Sequence, residues 1–465
     1  MTTYDILLRN GTVVTEDGQT EADIGVQGET ITAMAPNLDG LARQTVDASG
    51  LYVFPGLIDP HVHLSLPIAD GLVSADDFTT GTIAAACGGT TTVIDFTTQP
   101  RGVSLQRAVF DRRSEADGRA VIDYSLHLTV MDAEPRTLAE LKKLATEGYP
   151  SLKLYMTYAS LMVNDETMLR ILDTAVSCGA LTLVHAENHD LVSYLTRRLL
   201  DGGHTAPRYH AASRPPWVEG EATVRAIALA RAANAPLYVA HVSCAESLAA
   251  IRQARRQGQQ VFAETCPHYL LLSDDNYNQP GFLAARFVMT PPLRPKSNWP
   301  ILWDALADGD LDVVSTDHCP WLYATQKVRG QERFDLIPGG IAGVETRVPL
   351  LYSEGVVRGR LSLQRFVAAC ATNPARLFGL YPRKGTLALG SDADIVIFDP
   401  GRKATLSQAT LHQRVDYTVY EGWQVVGQPS LTISRGRIVA RDGQFVGQIG
   451  HGRFLPRKQR NPNGS

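Results

Sequence analysis

The fold that the sequence predicts is α/β: a (β/α)8 TIM-like barrel with a small β-sandwich domain formed by both termini. Three observations predict it. Eight short apolar, β-branched runs occur between residues 51 and 316, most of them separated by amphipathic helical patterns. Both chain ends carry short strand-like segments set apart by turn residues instead. Histidines and an aspartate fall where the central runs end, which is where a β/α barrel places its reactive side chains. A doubly wound open sheet is the rival arrangement, and the placing of those polar residues separates the two.

At the N-terminal end, residues 5–9, 11–14, 22–26 and 29–33 are strand candidates; at the other end, 390–399, 415–419, 431–434 and 436–439 have the same character. So few residues cannot bury a core alone. We therefore expect residues 1–54 and 377–450 to form one β-sandwich domain, with the barrel, 55–376, inserted between them. Residues 451–465 are polar, and basic at first, and read as a tail or contact arm. The barrel strands are expected at 51–58, 90–96, 122–130, 151–156, 181–185, 237–241, 261–264 and 311–316. Helical patterns follow, such as 164–178 with Met168, Leu169, Leu172 and Ala175 on one face, and 245–257 with Leu248, Ile251 and Ala254.

Composition narrows the function. A chain of 465 residues exceeds one ordinary core, and 44% apolar against 20% charged residues allows a large interior. A net charge of −4 offers no field for a phosphate backbone, so nucleic acid is not expected as a partner. No apolar run approaches the roughly 18 residues of a membrane span, so no membrane partner is expected. Met1-Thr2-Thr3-Tyr4-Asp5 lacks the pattern of a secretion signal. The cysteines at 87, 178, 244, 266, 319 and 370 form no CxxC pair, so reduced thiols and a cytoplasmic setting are expected.

The chemistry sits at the strand ends. Asp59-Pro60-His61-Val62-His63 follows the first run, Lys153 lies within the fourth, and His185, His241 and Asp317 close the fifth, sixth and eighth. His61 and His63 are two apart, so on extended chain they face one way and can share an ion. Imidazole nitrogen and carboxylate oxygen suit Zn²⁺. A single strand-end histidine is ordinarily a hydrogen-bonded structural residue, but four with an aspartate make a pattern. Burial should depress the Lys153 pKa, and a neutral amine can capture carbon dioxide as a carbamate, the bridging carboxylate that two metals about 3.5–4 Å apart require. Its alternative is a snorkelling or salt-bridged lysine. His127 reads as a satisfied core residue, His318 as a hydrogen-bonding residue near the mouth, and His268 as either structural or supporting.

These residues resemble the dihydropyrimidinase/D-hydantoinase family of cyclic amidohydrolases, within the amidohydrolase superfamily. The resemblance runs from about residue 5 to about 450 and rests on Asp59-Pro-His-Val-His, residues 76–82 and 88–96, Ser151-Leu-Lys-Leu-Tyr-Met-Thr-Tyr, Glu264-Thr-Cys-Pro-His-Tyr, Thr290-Pro-Pro-Leu-Arg, Thr316-Asp-His-Cys-Pro and residues 385–394. It implies a binuclear zinc site, with Mn²⁺ or Co²⁺ as alternatives. His61, His63 and Asp317 would hold one ion and His185 and His241 the other, with N6-carboxylated Lys153 bridging both. A hydroxide shared by the ions would attack, Asp317 would move the proton, and Tyr158 would hydrogen-bond the substrate and its oxyanion. Backbone groups at Thr290 and Gly339 would grip the ureide edge; many members carry Ser and Asn at these two places.

The implied reaction is hydrolytic opening of dihydropyrimidines or 5-substituted hydantoins to N-carbamoyl amino acids, by a homotetramer or dimer. Relatives that open carboxylate-bearing rings, such as dihydroorotase, place an arginine just after His-x-His; here Leu64-Ser65-Leu66-Pro67 follows, which favours a small neutral ring. Leu64, Leu66, Met156 and Leu161 are candidates for an apolar pocket around its substituent. The alternatives are allantoinase or another ureide hydrolase and, more remotely, a non-catalytic dihydropyrimidinase-related scaffold protein.

Overall fold

The computed structural model describes residues 3–68 and 71–460. Eight parallel strands form the barrel in chain order: Leu57–Val62, Thr90–Phe96, Asp123–Thr129, Ser151–Tyr155, Leu181–His185, Leu237–Val239, Val261–Thr265 and Val313–Val314. The eighth strand is short, and the seam is closed just beyond it by a bridge between Val62 and His318. Buried Asp59 supports the seam, accepting hydrogen bonds from the Thr316 hydroxyl at 2.6 Å and the Thr316 backbone N–H at 3.2 Å.

The run expected as one strand over 51–58 is divided. Tyr52–Pro55 joins the terminal sheet and Leu57–Val62 opens the barrel. Gly56 makes the transfer, because a Cβ there would collide with Thr91 Oγ1. The helical patterns hold closely: 164–178 is Asp165–Ser177, capped by the Asn164 side chain, and 245–257 is Ala245–Arg256.

Strands from both chain ends share one continuous nine-stranded sheet. Tyr52–Pro55 is its centre, pairing on one side with Thr3–Val14 and on the other with Ile395–Thr405. The sheet curls until Ile31 exchanges backbone hydrogen bonds with Ser391 and Gly390, and it encloses its own core of residues such as Leu8, Ile24, Val53, Ile395 and Ile433. The expected strand at 415–419 is instead a loop. Its Asp416 carboxylate accepts the backbone N–H groups of Tyr323 and Ala324 at 2.7 and 2.9 Å, so the segment is anchored by its side chain and not by a ladder.

Charge ties this sheet to the barrel. Lys384 Nζ lies 2.7 Å from both Asp123, on the third barrel strand, and Asp394, beside the sheet; Arg435 Nε adds a bond to Asp123 at 2.9 Å. All four side chains are buried. Residues 453–460 cross the barrel at the N-terminal ends of its strands: Arg457 N donates to Gly148 O and Arg460 N to Gly179 O, both at 3.0 Å. The buried Arg457 guanidinium binds Ser125 Oγ at 2.8 Å and Leu126 O at 2.6 Å. The expected tail is thus a contact arm as far as Arg460, and 461–465 lie outside the described residues.

Removing one partner of a buried ion pair strands the other, so Lys384→Met is expected to lower stability by about 3–5 kcal/mol in urea denaturation. A loss below about 1 kcal/mol would put this cluster on a par with a surface salt bridge.

Candidate active site

The nine residues expected to hold metal or grip the substrate line one cavity of about 650 Å³ at the C-terminal mouth of the barrel: His61, His63, Lys153, Tyr158, His185, His241, Thr290, Asp317 and Gly339. Each is placed by the end of a strand or the loop that follows it. His61 lies in the first strand and His63 just beyond, Lys153 is on the fourth, and His185 ends the fifth. Tyr158, His241 and Asp317 have φ of 64°, 39° and 49°. Non-glycine residues rarely adopt this left-handed region, at roughly 1–3 kcal/mol each, and its concentration here marks a place where side-chain direction overrides backbone preference.

Asp317 Oδ1 lies 3.0 Å from His63 Nε2 and 3.2 Å from His61 Nε2. The ring centroids of His61 and His241 are 5.4 Å apart, and those of His185 and His241 4.5 Å. His61, His241 and Asp317 each bring a donor atom within 4.8 Å of the others, a group able to hold a metal ion. Burial holds His63 and His185 below the usual imidazole range and His241 well below it, which favours the neutral, ligating form. Burial raises a carboxyl, yet the flanking His61 and His63 rings hold Asp317 well below the usual carboxylate range.

Lys153 is 1% exposed and its Nζ has no hydrogen-bond partner; it sits 5.3 Å from the centre of the Phe96 ring. Burial lowers its pKa to about 8, with Glu264 and Asp317 opposing the shift. A ring nitrogen (Nδ1) of each of His63 and His241 is likewise buried without a partner. Buried polar atoms are rarely left so, and three of them around one cavity, two being imidazole nitrogens of the kind zinc takes, fit a site built for metal.

Residues that sequence reading missed stand behind these. His61 Nδ1 is hydrogen-bonded to Glu264 Oε1, whose other oxygen accepts the Tyr238 hydroxyl at 2.8 Å. With Nδ1 carrying the proton, Nε2 keeps its lone pair on the Asp317 side, free to ligate a metal. Glu187 Oε2 meets His185 Nε2 and Arg214 Nη1, each at 2.8 Å. Burial pushes the Glu187 carboxyl up, but Arg214 and His185 outweigh it and hold it at about 2. The signal for Glu264 is present in the sequence, since it is the last residue of the seventh run, where a barrel places its functional side chains.

The apolar candidates divide. Leu66 and Leu161 line the cavity, with Ile68, Leu72 and Phe334 beside them. Leu64 and Met156 are packed in the barrel core instead, Leu64 filling the space that a Cβ at Gly81 would need. Thr290 faces Gly339 closely, a Cβ on Gly339 standing 3.2 Å from Thr290 Oγ1. His127 is satisfied by Ser151 Oγ at 2.6 Å and Pro60 O at 2.9 Å. His318 Nε2 bonds Asp76 at 3.1 Å and its Nδ1 accepts the Gly343 N–H at 3.0 Å. His268 is buried outside the cavity, its Nε2 without a partner.

A β/α barrel with clustered histidines and an aspartate at its mouth defines a metal-dependent hydrolase, and the chain belongs to the amidohydrolase family, whose profile matches residues 52–439. Within that family it falls in the dihydropyrimidinase/hydantoinase group. It is 46% identical to the D-hydantoinase of Ralstonia pickettii over 456 residues, covering 98% of this chain and 99% of that protein. The structure of the dihydropyrimidinase from Brevibacillus agri NCHU1002 superposes with a TM-score of 0.96 at 47% identity, over 98% of this chain and 99% of that one. That of the D-hydantoinase from Bacillus sp. AR9 does so with a TM-score of 0.96 at 48% identity, over 98% and 100%. The family implies a metal cofactor.

Glu264→Gln keeps the size of the side chain but loses the carboxylate that orients His61. It is expected to weaken metal binding by about 10–100-fold in chelator competition; unchanged affinity would remove Glu264 from the orienting role.

Proposed function

We propose that this enzyme hydrolyses small neutral cyclic ureides, dihydropyrimidines such as dihydrouracil or 5-substituted hydantoins, opening the ring to an N-carbamoyl amino acid. The observation that carries the reading is the meeting of six metal-ligand candidates with Tyr158, Thr290 and Gly339 around one cavity, in a chain whose relatives are named D-hydantoinase and dihydropyrimidinase. In this reading His61, His63 and Asp317 would hold one zinc ion, His185 and His241 would hold the other, and carboxylated Lys153 would offer its carboxylate to both. The amine lone pair of Lys153 adds to the carbon of carbon dioxide and one N–H proton leaves to solvent, so the cavity gains a carboxylate where it had an unpartnered nitrogen. Ions held there would supply the chemistry of a metal-activated water, with a pKa of about 7, and of a Lewis acid toward the ring carbonyl.

The chain's own groups do the rest. Asp317, kept ionised, accepts the proton of the attacking water and returns it to the ring nitrogen as the C–N bond breaks, acting first as base and then as acid. The Tyr158 hydroxyl, which burial keeps protonated, donates to the oxygen on which negative charge develops; one such donor contributes about 3–4 kcal/mol. Backbone groups at Thr290 and Gly339 hold the ureide edge, and Leu66, Leu161 and their neighbours receive the ring substituent. Arg214 faces the cavity already neutralised by Glu187, which suits a ring without a carboxylate.

Protein loaded with zinc and bicarbonate is to be tested on dihydrouracil, 5-phenylhydantoin, allantoin and dihydroorotate. Opening of either of the first two with dihydroorotate inert is the expected result. Opening of allantoin alone would transfer the site to the ureide alternative, and inertness toward all four would overturn the substrate class. Lys153→Ala is expected to lose most bound metal along with activity, and a variant retaining both would remove the lysine bridge.

A further inference from the structure

Outside the catalytic cavity, Cys87, Glu345 and His412 each bring one ligand atom (Sγ, a carboxylate oxygen and a ring nitrogen) within 4.8 Å of the others. Three separate pieces of chain meet there. Cys87 ends the helix Phe78–Cys87, Glu345 precedes the helix Arg347–Leu351, and His412 lies in the loop between Ile395–Thr405 and Gln424–Ser434. Glu345 fixes His412 twice: one oxygen accepts the His412 backbone N–H at 2.7 Å and the other lies 2.8 Å from Nδ1. The helix end reaches Glu345 because Gly88 has no side chain, a Cβ there standing 2.5 Å from the Glu345 carbonyl oxygen. Cys87 and Glu345 are buried, at 6% and 7% exposure, while the His412 side chain keeps 22%. The cluster is therefore closed on two sides and reached by solvent from the histidine.

None of the three lines the catalytic cavity, and the proposed ring opening uses none of them. We propose that Cys87, Glu345 and His412 form a separate metal site that takes one soft divalent ion of the Zn²⁺ or Cd²⁺ type, with water in the fourth position. Thiolate, imidazole and carboxylate are the donors zinc uses, and three protein ligands leave one position for solvent. The thiolate selects such ions over Mg²⁺ and Ca²⁺. On binding, the ion replaces the thiol proton, which leaves to solvent, and a His412 held as imidazolium against Glu345 gives up one N–H proton as well, so that the ring ligates as neutral imidazole. Thiolate, carboxylate and dication then sum to zero charge in a buried place. An ion there would clip the first barrel helix and a loop of the terminal domain to the barrel.

The test is a Cd²⁺ titration of the metal-loaded enzyme, followed by the sulfur-to-cadmium charge-transfer band in the ultraviolet. The catalytic donor set is nitrogen and oxygen alone, so exchange there produces no such band. The expected result is a band saturating at one ion per chain, absent in Cys87→Ser and retained in Cys319→Ser, Cys319 being the thiol that lines the catalytic cavity. His412→Ala, which leaves the thiol in place, should weaken the titration by roughly tenfold or more. It decides the matter alone if Cys87→Ser does not fold. No band in the parent enzyme, a band surviving in folded Cys87→Ser, or an unaltered titration in His412→Ala would overturn the site.

Discussion

A lysine amine buried to 1% exposure with nothing to bond to is the constraint around which the barrel mouth is arranged. Lys153 rises from the fourth strand beneath the aromatic faces of Phe96 and Tyr155, 5.3 and 5.4 Å from its Nζ. Those rings supply no acceptor, and no other group among the described residues partners the nitrogen. An unsatisfied buried polar group is expensive, and a barrel tolerates one where function requires it. The imidazoles surround the same point. Phe96 stacks on His63 at 4.8 Å and packs on His61 at 4.7 Å, fixing their ring planes by packing, while hydrogen bonds from below fix the protons of His61 and His185.

Those hydrogen bonds form a second layer of charge. Glu264 stands behind His61 and Glu187 behind His185, both with side chains 0% exposed. A carboxylate at that depth needs partners, and each has them: Tyr238, His61 and the His241 backbone N–H for Glu264, Arg214 and His185 for Glu187. The histidines are therefore held by groups that are themselves held. The left-handed backbone at Tyr158, His241 and Asp317 belongs to the same economy, because strain at a strand end persists only where the surroundings over-determine it.

The terminal sheet contributes at a distance. It buries Asp123 of the third barrel strand beneath Lys384 and Arg435, while the arm from Arg453 to Arg460 covers the barrel end opposite the mouth. Rigidity at that end leaves the loops at the mouth free to vary in what they admit. On the proposed reading, the Thr290–Gly339 wall and the apolar side chains beyond Leu66 set the ring substituent that fits.

The sequence by itself determined the barrel, the terminal sheet and the six ligand candidates at the mouth, because each is a local signal: apolar runs, helical periodicity, and polar residues in or just after those runs; Tyr158, Thr290 and Gly339 were legible only through the family resemblance. It failed where a contact between distant segments decides. Nothing local divides 51–58 at Gly56; the split follows from how close Thr91 comes. Residues 415–419 read as a strand from their alternation, yet find their anchor in loop backbone 93 residues away along the chain. Leu64 and Leu66 are equivalent as text, and only packing sends one to the core and the other to the cavity. Glu264 behind His61, 203 residues apart in sequence, is likewise a product of barrel closure. Which residues could do chemistry was written in the order of amino acids; which of them touch was decided by the tertiary structure, since burial and hydrogen bonding act across space and not along the chain.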